Sequence, residues 1–251
     1  MLAAALRGYT AMADASAQPT STPAAAAAPT ANSAPTGGGA STASSAPTAL
    51  DRYLNGLNGL SAMFTQTVTE GEGTQTEAGS GTLTVQRPGK FRWDYTPTEA
   101  GATRQAGGTE PTSGSEARGQ LLVADGRNLW FYDKELAQVT VRPVESALSA
   151  TPIVLLSGST AQLHDSFEIG TGPFHDGLDW VEVKPRAAES DFLHASLGFN
   201  GDKLVRMVVK DRLGQTVQLD FSRSERNPHI DPALLKFRPP AGVDVIGTPQ
   251  N

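Results

Sequence analysis

The stretch LTVQRPGKFRWDY, residues Leu83–Tyr95, decides the fold of this chain. Its pattern predicts a β-strand, a tight turn at the Pro-Gly pair and a second strand. On the second strand Phe91, Trp93 and Tyr95 occupy every other position, so one face of the sheet carries aromatic side chains and is expected to be buried. Arg87 stands just before the turn, where its guanidinium donors need acceptors from elsewhere in the chain.

Composition divides the chain of 251 residues into a low-complexity part and one folded domain. The first part is nearly all Ala, Ser, Thr, Pro and Gly, which predicts a disordered tether over residues 18–47 and a folded domain over residues 48–251. Residues 1–17 end in the small-x-small pattern Ala15-Ser16-Ala17. This pattern indicates either the remnant of a signal peptide or more low-complexity sequence.

Charge and residue usage exclude several classes of function. The formal net charge is −6 and the Lys and Arg residues are scattered, which does not favour a nucleic-acid partner. The sequence has no cysteine, which excludes disulfides, thiolate metal sites, a cysteine nucleophile and a lipid-modified N-terminal cysteine. No apolar run approaches the ~18 residues that a membrane-spanning helix needs.

Short apolar helices are predicted before the first strand and after the sixth. Thr48 and Asp51 match an N-terminal capping box. The helical stripe that follows them consists of Leu50, Tyr53, Leu54, Leu57 and Leu60. Residues 145–150 predict a helical turn, and Thr151–Gly158 predicts a helix of under two turns with a threonine cap. The consecutive apolar residues Ile153–Leu156 need apolar surroundings on more than one side.

Alternation with a period of two predicts antiparallel strands through the rest of the domain. The predicted strands are residues 64–69, 81–86, 91–95, 120–124, 128–132, 137–142, 166–169, 178–184, 193–199, 203–210 and 216–221, with a closing segment at 235–237. Residues 98–119 have no apolar pattern and predict a flexible insertion loop. Sheets of this size curl into a barrel or split into a sandwich, and helices over a barrel mouth would leave an apolar cavity with a lid.

The sequence contains no recognisable motif for catalysis or metal binding. It has no G-x-S-x-G elbow, P-loop or G-x-G-x-x-G motif. No two of its histidines have the spacing of metal ligands on a helix; they are His164, His175, His194 and His229. His164 and His175, each followed by Asp, are interpreted as loop residues. The glycines attributed to hairpin turns and bulges are Gly71, Gly73, Gly79 and Gly81. We therefore predict that the protein is not an enzyme and has no cofactor or metal.

Pattern alone leaves two interpretations of the aromatic and apolar residues open. They form either an ordinary β-sheet core or the lining of a ligand site, and the pattern favours the core. Arg87 is likewise either a surface residue at the end of a strand or a cation with a function.

Several short motifs between Leu50 and Val245 form a recognisable combination. They are Phe64-Thr65-Gln66, Gly81–Val85, Arg87–Trp93, Leu122–Tyr132, Thr151-Pro152 with its apolar continuation, and Phe237–Val245. The combination resembles the LolA family of periplasmic outer-membrane lipoprotein carrier proteins. The motifs are specific together and weak singly.

The resemblance implies a fold and a function. The fold would be mainly β: a half-open, unclosed antiparallel β-barrel of about ten to eleven strands, with short α-helices as a lid over an apolar cavity. The function would be that of a monomeric periplasmic chaperone. It would bind the acyl chains of lipoproteins released by an inner-membrane ABC transporter and deliver them to an outer-membrane lipoprotein receptor.

The resemblance also implies roles for particular residues. Arg87, in the R-P-x-x-F motif, would bond the lid helices and hold the empty form closed, and Phe91 would take part in productive loading. The implied ligand-binding and lid residues are Arg87, Phe91, Trp93, Leu54, Leu57, Ile153, Val154, Leu155 and Leu156.

Three alternatives compete with the carrier interpretation. The outer-membrane receptor of the same pathway shares the fold, but it is a lipoprotein and needs an N-terminal cysteine, which this sequence lacks. A β-rich periplasmic lipoprotein-sensing or interaction module would need an additional signalling domain. A hydrolase with an apolar pocket would need a carboxylate pair or a serine–histidine pair in its cavity.

Overall fold

The computed structural model describes residues 46–71, 73–98, 118–144, 152–188, 190 and 192–250. The strands in these residues are β1 (Gly59–Glu70), β2 (Thr74–Gln86), β3 (Lys90–Pro97), β4 (Gln120–Asp125), β5 (Asn128–Asp133), β6 (Gln138–Pro143), β7 (Phe167–Thr171), β8 (Asp179–Pro185), β9 (Phe192–Asn200), β10 (Lys203–Asp211), β11 (Thr216–Arg226) and β12 (Asp244–Ile246). The helices are α1 (Ala49–Leu54), α2 (Val154–Ser157), α3 (Thr160–Ser166) and a 3-10 helix, Pro232–Leu235. Nearly all of the predicted tether and of the predicted insertion loop lies outside the described residues.

The strands form one 12-stranded sheet in the order β12-β6-β5-β4-β3-β2-β1-β11-β10-β9-β8-β7. Neighbouring strands are antiparallel, except that β12 runs parallel to β6. Within the described part of the chain no pairing joins β7 to β12, so the sheet remains unclosed. The prediction of a mainly β, half-open sheet with a few short helices is confirmed, and there are 12 strands where ten or eleven were expected.

The additional strand is β12, which pairs with β6 from Asp244 opposite Gln138 to Ile246 opposite Thr140. The closing segment predicted at residues 235–237 does not form a strand. Residues Pro232–Leu235 form a 3-10 helix instead, and the residues after it are not extended into a strand. Asp231 caps this helix: its side chain accepts a hydrogen bond from the Ala233 backbone amide at 2.8 Å. A proline at the first position of a capped turn favours this short helix over an extended segment.

Helix α1 is shorter than its apolar stripe indicated. The capping box of Thr48 and Asp51 is present as predicted, but the helix ends at Leu54. Gly56 takes a φ of +68°, which ends the helical path, and Leu57 lies in the loop before β1. The stripe residues are nevertheless all buried, because the loop and the first residues of β1 also face the core.

The second predicted helix is present as α2, followed by a third helix that the apolar pattern did not indicate. Helix α2 begins after Ile153, which makes no side-chain capping bond, while Thr151 and residues 145–150 lie outside the described residues. Helix α3 carries a capping box between Ser159 and Gln162, a sequence signal that could have located it.

The apolar side chains are divided between the two faces of the sheet. The inner face forms one large buried cluster, which also contains apolar residues from α1, α2 and α3. A smaller cluster lies on the outer face of β4, β5 and β6, where Phe237 and Val243 pack against Trp130 and its neighbours. None of the helices in the described ranges has the length and apolar character needed to cross a membrane.

Two of the four glycines interpreted as turn residues belong to a strand interior. Gly71 and Gly73 have positive φ in the β1–β2 hairpin, as expected. Gly79 and Gly81 lie inside β2, where rings occupy the place of a side chain. A Cβ on Gly81 would lie 2.6 Å from Cζ of Phe64. These glycines therefore serve the packing of aromatic rings on the inner face, not a change of direction.

Candidate functional site

Arg87 lies at one end of the sheet, where it joins helices from two distant parts of the chain. Its Nη1 donates to the backbone carbonyls of Leu54, at 2.8 Å, and Leu57, at 3.1 Å. Its Nε and Nη2 donate to the carbonyl of Gly158 at 3.0 and 2.7 Å. A longer contact of 3.5 Å joins Nη2 to the Thr160 hydroxyl. The acceptors that the sequence required are thus supplied by the helices.

Two of the acceptors of Arg87 lie at the C-terminal end of a helix, whereas the Leu57 carbonyl lies in the loop before β1. Leu54 is the last residue of α1 and Gly158 is the C-terminal cap of α2. Such carbonyls lack intrahelical partners and carry partial negative charge, so a guanidinium stabilises them. Burial lowers the pKa of Arg87 from its ordinary value, but an arginine remains charged in proteins. A cation is therefore held by neutral acceptors, without a carboxylate among its described hydrogen-bond partners.

The backbone of the same turn strengthens this junction. The Arg87 amide donates to the Asn58 carbonyl at 2.8 Å, and the Gly89 amide donates to the Ser157 carbonyl at 2.8 Å. We use the term lid for helices α1, α2 and α3. The lid has two halves: α1, which precedes β1, and the pair α2 and α3, which lies between β6 and β7. The β2–β3 turn binds both halves.

A second bond joins the two halves of the lid directly. His164 Nε2 on α3 lies 2.7 Å from Asp51 Oδ1 on α1. Burial raises the pKa of Asp51, but hydrogen bonds from His164 and Thr48 outweigh burial and lower this pKa below its ordinary value of 3.8. The interpretation of His164 as a loop residue was wrong, because it lies on α3 and contacts a residue 113 positions away.

The remaining predicted site residues meet beneath the lid. Phe91 is fully buried and Trp93 is 3% exposed, with the Trp93 ring 4.0 Å from that of Phe64. The predicted lid residues that belong to the same buried cluster are Leu54, Leu57, Ile153, Leu155 and Leu156, with Val154 partly buried against it. The structure therefore places Phe91, Trp93 and the predicted lid residues in one buried cluster, with Val154 packed against it and Arg87 bonded to the adjoining helices.

A cleft of about 700 Å³ opens beside the lid. It lies between the β2–β3 turn, helices α2 and α3, and the adjoining ends of β7 and β8. The residues that line it are Pro88, Gly89, Gly126, Val144, Val154, Gly158, Gln162, Asp165, Ser166, Phe167, Pro185, Arg186 and Ala187. The cleft adjoins both the lid and the β7 edge of the unclosed sheet.

Sequence reasoning missed a second arginine that holds α1. Arg226, at the end of β11, donates to the carbonyls of Tyr53 at 2.7 Å and Asn55 at 3.2 Å. Its guanidinium also lies 4.9 Å from the centroid of the Tyr53 ring. The adjacent Asn227 accepts from the backbone amide of Asn58 at 2.7 Å. No local pattern marks these residues, because their partners lie far away in the sequence.

A serine, a histidine and a carboxylate do meet, but on the outer face of the sheet. Ser196 Oγ lies 3.1 Å from His194 Nε2 and donates to Glu182 Oε2 at 2.9 Å. The same Glu182 oxygen contacts the same histidine nitrogen. Ala195 and Leu197 point into the inner cluster, so their neighbours on β9 point outward. The hydrolase alternative expects such a pair inside the cavity, with the carboxylate on the other ring nitrogen.

Comparison with known proteins gives a consistent result. The family model described as outer membrane lipoprotein carrier protein LolA matches residues 55–100 and 115–238. The gap between these segments falls within the predicted insertion at residues 98–119.

Curated relatives match over most of their own length. An outer-membrane lipoprotein carrier protein of Dechloromonas aromatica is 37% identical over 198 residues, covering 79% of this chain and 86% of the relative. The protein of the same name from Methylibium petroleiphilum is 39% identical over 185 residues, covering 74% of this chain and 81% of the relative. The crystal structure of a LolA superfamily protein from Nitrosomonas europaea aligns with a TM-score of 0.38 at 12% identity, covering 76% of this chain and 99% of that protein. This last similarity is too low to carry an argument.

Proposed function

The chain belongs to the family of outer membrane lipoprotein carrier proteins, and we propose that it is a periplasmic chaperone that binds the acyl chains of lipoproteins beneath its lid. It takes lipoproteins that an inner-membrane ABC transporter releases and delivers them to a receptor at the outer membrane. The curated relatives are carriers by name, and no observation on the described residues favours the sensing alternative.

Energetics explain why such a carrier needs a lid. Burial of an acyl chain is worth ~0.8 kcal/mol per methylene, so several long chains together represent tens of kcal/mol. Non-covalent affinities saturate near ~18–21 kcal/mol, so a carrier that buried every methylene could not release its cargo. A lid that gives up its own apolar contacts when cargo enters reduces the net affinity to a range in which transfer can proceed in both directions.

The observation that carries this proposal is the junction made by Arg87. Charged hydrogen bonds contribute about 1.5–3 kcal/mol each, so several of them hold the lid closed without making closure permanent. The bonds go to both halves of the lid. Opening therefore exchanges these bonds, and the contacts of Leu155 and Leu156, for contacts between acyl chains and the aromatic face of β3.

A release assay tests the proposal. Purified chain is added to spheroplasts that hold newly made lipoproteins, and the supernatant is blotted for soluble complexes. Wild type should release lipoprotein, and Arg87→Leu should either fail to load or retain its cargo when outer-membrane receptor is added. Arg92→Leu is the matched control, because Arg92 lies in the same motif but bonds Asp94 at 2.6 Å, away from the lid. No release by wild type, in a system whose own carrier works, would refute the proposal.

A further inference from the structure

The loop between helix α1 and strand β1, residues 55–58, supplies two of the acceptors of the Arg87 junction. The Leu57 carbonyl accepts from Arg87 Nη1 at 3.1 Å, and the Asn58 carbonyl accepts from the Arg87 backbone amide at 2.8 Å. No helix fixes the direction of these carbonyls, and the loop contains Gly56, whose φ is +68°. Their direction therefore depends on contacts from outside the loop.

Asn227, directly after strand β11, holds this loop. Its Oδ1 accepts from the backbone amides of Asn58, at 2.7 Å, and Gly59, at 3.0 Å. Its Nδ2 donates to the Gly56 carbonyl at 2.9 Å, and its backbone amide donates to the Gly59 carbonyl at 2.7 Å. Since β1 lies between β11 and β2 in the sheet, Asn227 binds the loop from one side and Arg87 binds it from the other.

The residue type at position 227 suits these bonds. An asparagine side chain carries both an acceptor and donors, so it can bind amides and a carbonyl of the same loop at once. The backbone of Asn227 has a φ of +54°, in the left-handed region, which asparagine tolerates better than most residues other than glycine. An alanine here would lose the side-chain bonds and strain the backbone, whereas a glycine would lose the side-chain bonds alone.

We propose that Asn227 is a positioning residue of the lid, which fixes the Leu57 and Asn58 carbonyls where Arg87 binds them and so supports the attachment of α2 from a distance. None of the described hydrogen bonds of Asn227 goes to α2 or α3. Arg87 makes the connection, because the same guanidinium binds the Gly158 carbonyl at 2.7 Å. Its fork is planar and rigid, so carbonyls that fix Nη1 also fix the direction of Nη2. This inference rests on the proposed function, since it assigns a residue to the lid of the same carrier.

Hydrogen exchange of the full chain without cargo tests the inference. In Asn227→Gly, backbone exchange in residues 154–163 should rise about 3- to 10-fold, as expected for the weakening of about one hydrogen bond of the junction. The increase should vanish when the same substitution is made in Arg87→Leu, because the connection to α2 is already lost there. Asn227→Asp keeps the acceptor for the two amides and should give a smaller increase, which vanishes in the same background.

Arg223→Gly is the matched control. Arg223 also lies on β11 at a positive φ, +49°, but it makes no described hydrogen bond to the α1–β1 loop. Its substitution should leave exchange in residues 154–163 unchanged.

Three results would overturn the inference. Exchange that rises only in residues 49–59 would limit Asn227 to its own loop. An increase of the same size in the Arg87→Leu background would mean that Asn227 acts without Arg87, and an equal increase in strands β4 and β5 would mean a general loss of stability. The release assay is separate: wild type that releases no lipoprotein refutes the proposed function and leaves the exchange result standing.

Discussion

Arg87 and Arg226 bind the carbonyls of two consecutive residues of helix α1. Arg87 Nη1 lies 2.8 Å from the Leu54 carbonyl and Arg226 Nη1 lies 2.7 Å from the Tyr53 carbonyl. Only Arg87 also reaches α2. The two halves of the lid are therefore attached differently. A second arginine on the sheet holds α1, whereas the Gly89 amide also binds α2, and Arg186, just after β8, also binds α3.

This asymmetry predicts which half of the lid opens first. In Arg87→Leu, backbone hydrogen exchange should rise at least about 10-fold in α2 and α3, corresponding to the loss of one charged hydrogen bond, and much less in α1. Mass spectrometry of peptides covering residues 152–166 and 49–58 measures the difference. Arg226→Leu is the matched control and should release α1 instead. Equal acceleration of both segments in Arg87→Leu would show that the lid moves as one body.

A lysine at position 87 should not hold the lid closed as well as Arg87 does. A lysine ammonium is a compact charge that cannot reproduce the fork that reaches α1 and α2 together. We expect Arg87→Lys to lose about 1.5–3 kcal/mol of lid closure for each charged bond that it cannot form. Hydrogen exchange in residues 154–163 should therefore lie between the values for wild type and Arg87→Leu. Exchange as slow as in wild type would mean that charge alone closes the lid.

The bond between His164 and Asp51 predicts a pH dependence of lid stability. The pKa of Asp51 is lowered in the folded protein, so this carboxylate contributes stability that is complete above its ordinary pKa of 3.8. The contribution is lost as the pH falls through the lowered folded value. Asp51→Asn should cost about 1–2 kcal/mol in urea unfolding at neutral pH, and the difference from wild type should shrink below pH 3.8. A difference that stays constant down to the acid limit would contradict this assignment.

The packing of the aromatic face predicts a large effect of one methyl group. Gly81→Ala would place Cβ 2.6 Å from Cζ of Phe64 and against the backbone carbonyl of Asp94. Overpacking of this kind costs about 1–3 kcal/mol, which urea unfolding would detect. Gly170→Ala, on strand β7, is the matched control, because no atom lies within 4 Å of its new Cβ. The control should be neutral or slightly stabilising, and equal effects of the two substitutions would refute the packing argument.

The sequence predicted those features whose signals are local. Alternation of apolar residues located the first eleven strands, because each side chain on the inner face must be buried whatever its partner strand. The need of Arg87 for acceptors was also visible, since a guanidinium beside an apolar wall requires them. The extent of α1 was overestimated, because Leu57 and Leu60 continue the stripe beyond the helix end without being helical.

The missed features depend on partners that are distant in sequence. Strand β12 has only three residues, and it is a strand because it pairs with β6. The contact between His164 and Asp51 joins residues 113 positions apart, and that between Arg226 and Tyr53 joins residues 173 positions apart. Nothing in the local sequence of these residues differs from that of an ordinary solvated helix or strand end.

Strand β12 limits how copies of this protein can associate. An unclosed sheet ordinarily has two free edges, and edge-to-edge stacking of many copies requires both of them. Here one edge is occupied by a strand of only three residues, which is too short to template a further long strand. The β7 edge is the longer of the two edges that remain. Association through the β7 edge would therefore pair two molecules, and the short β12 strand disfavours the addition of a further copy at the other edge.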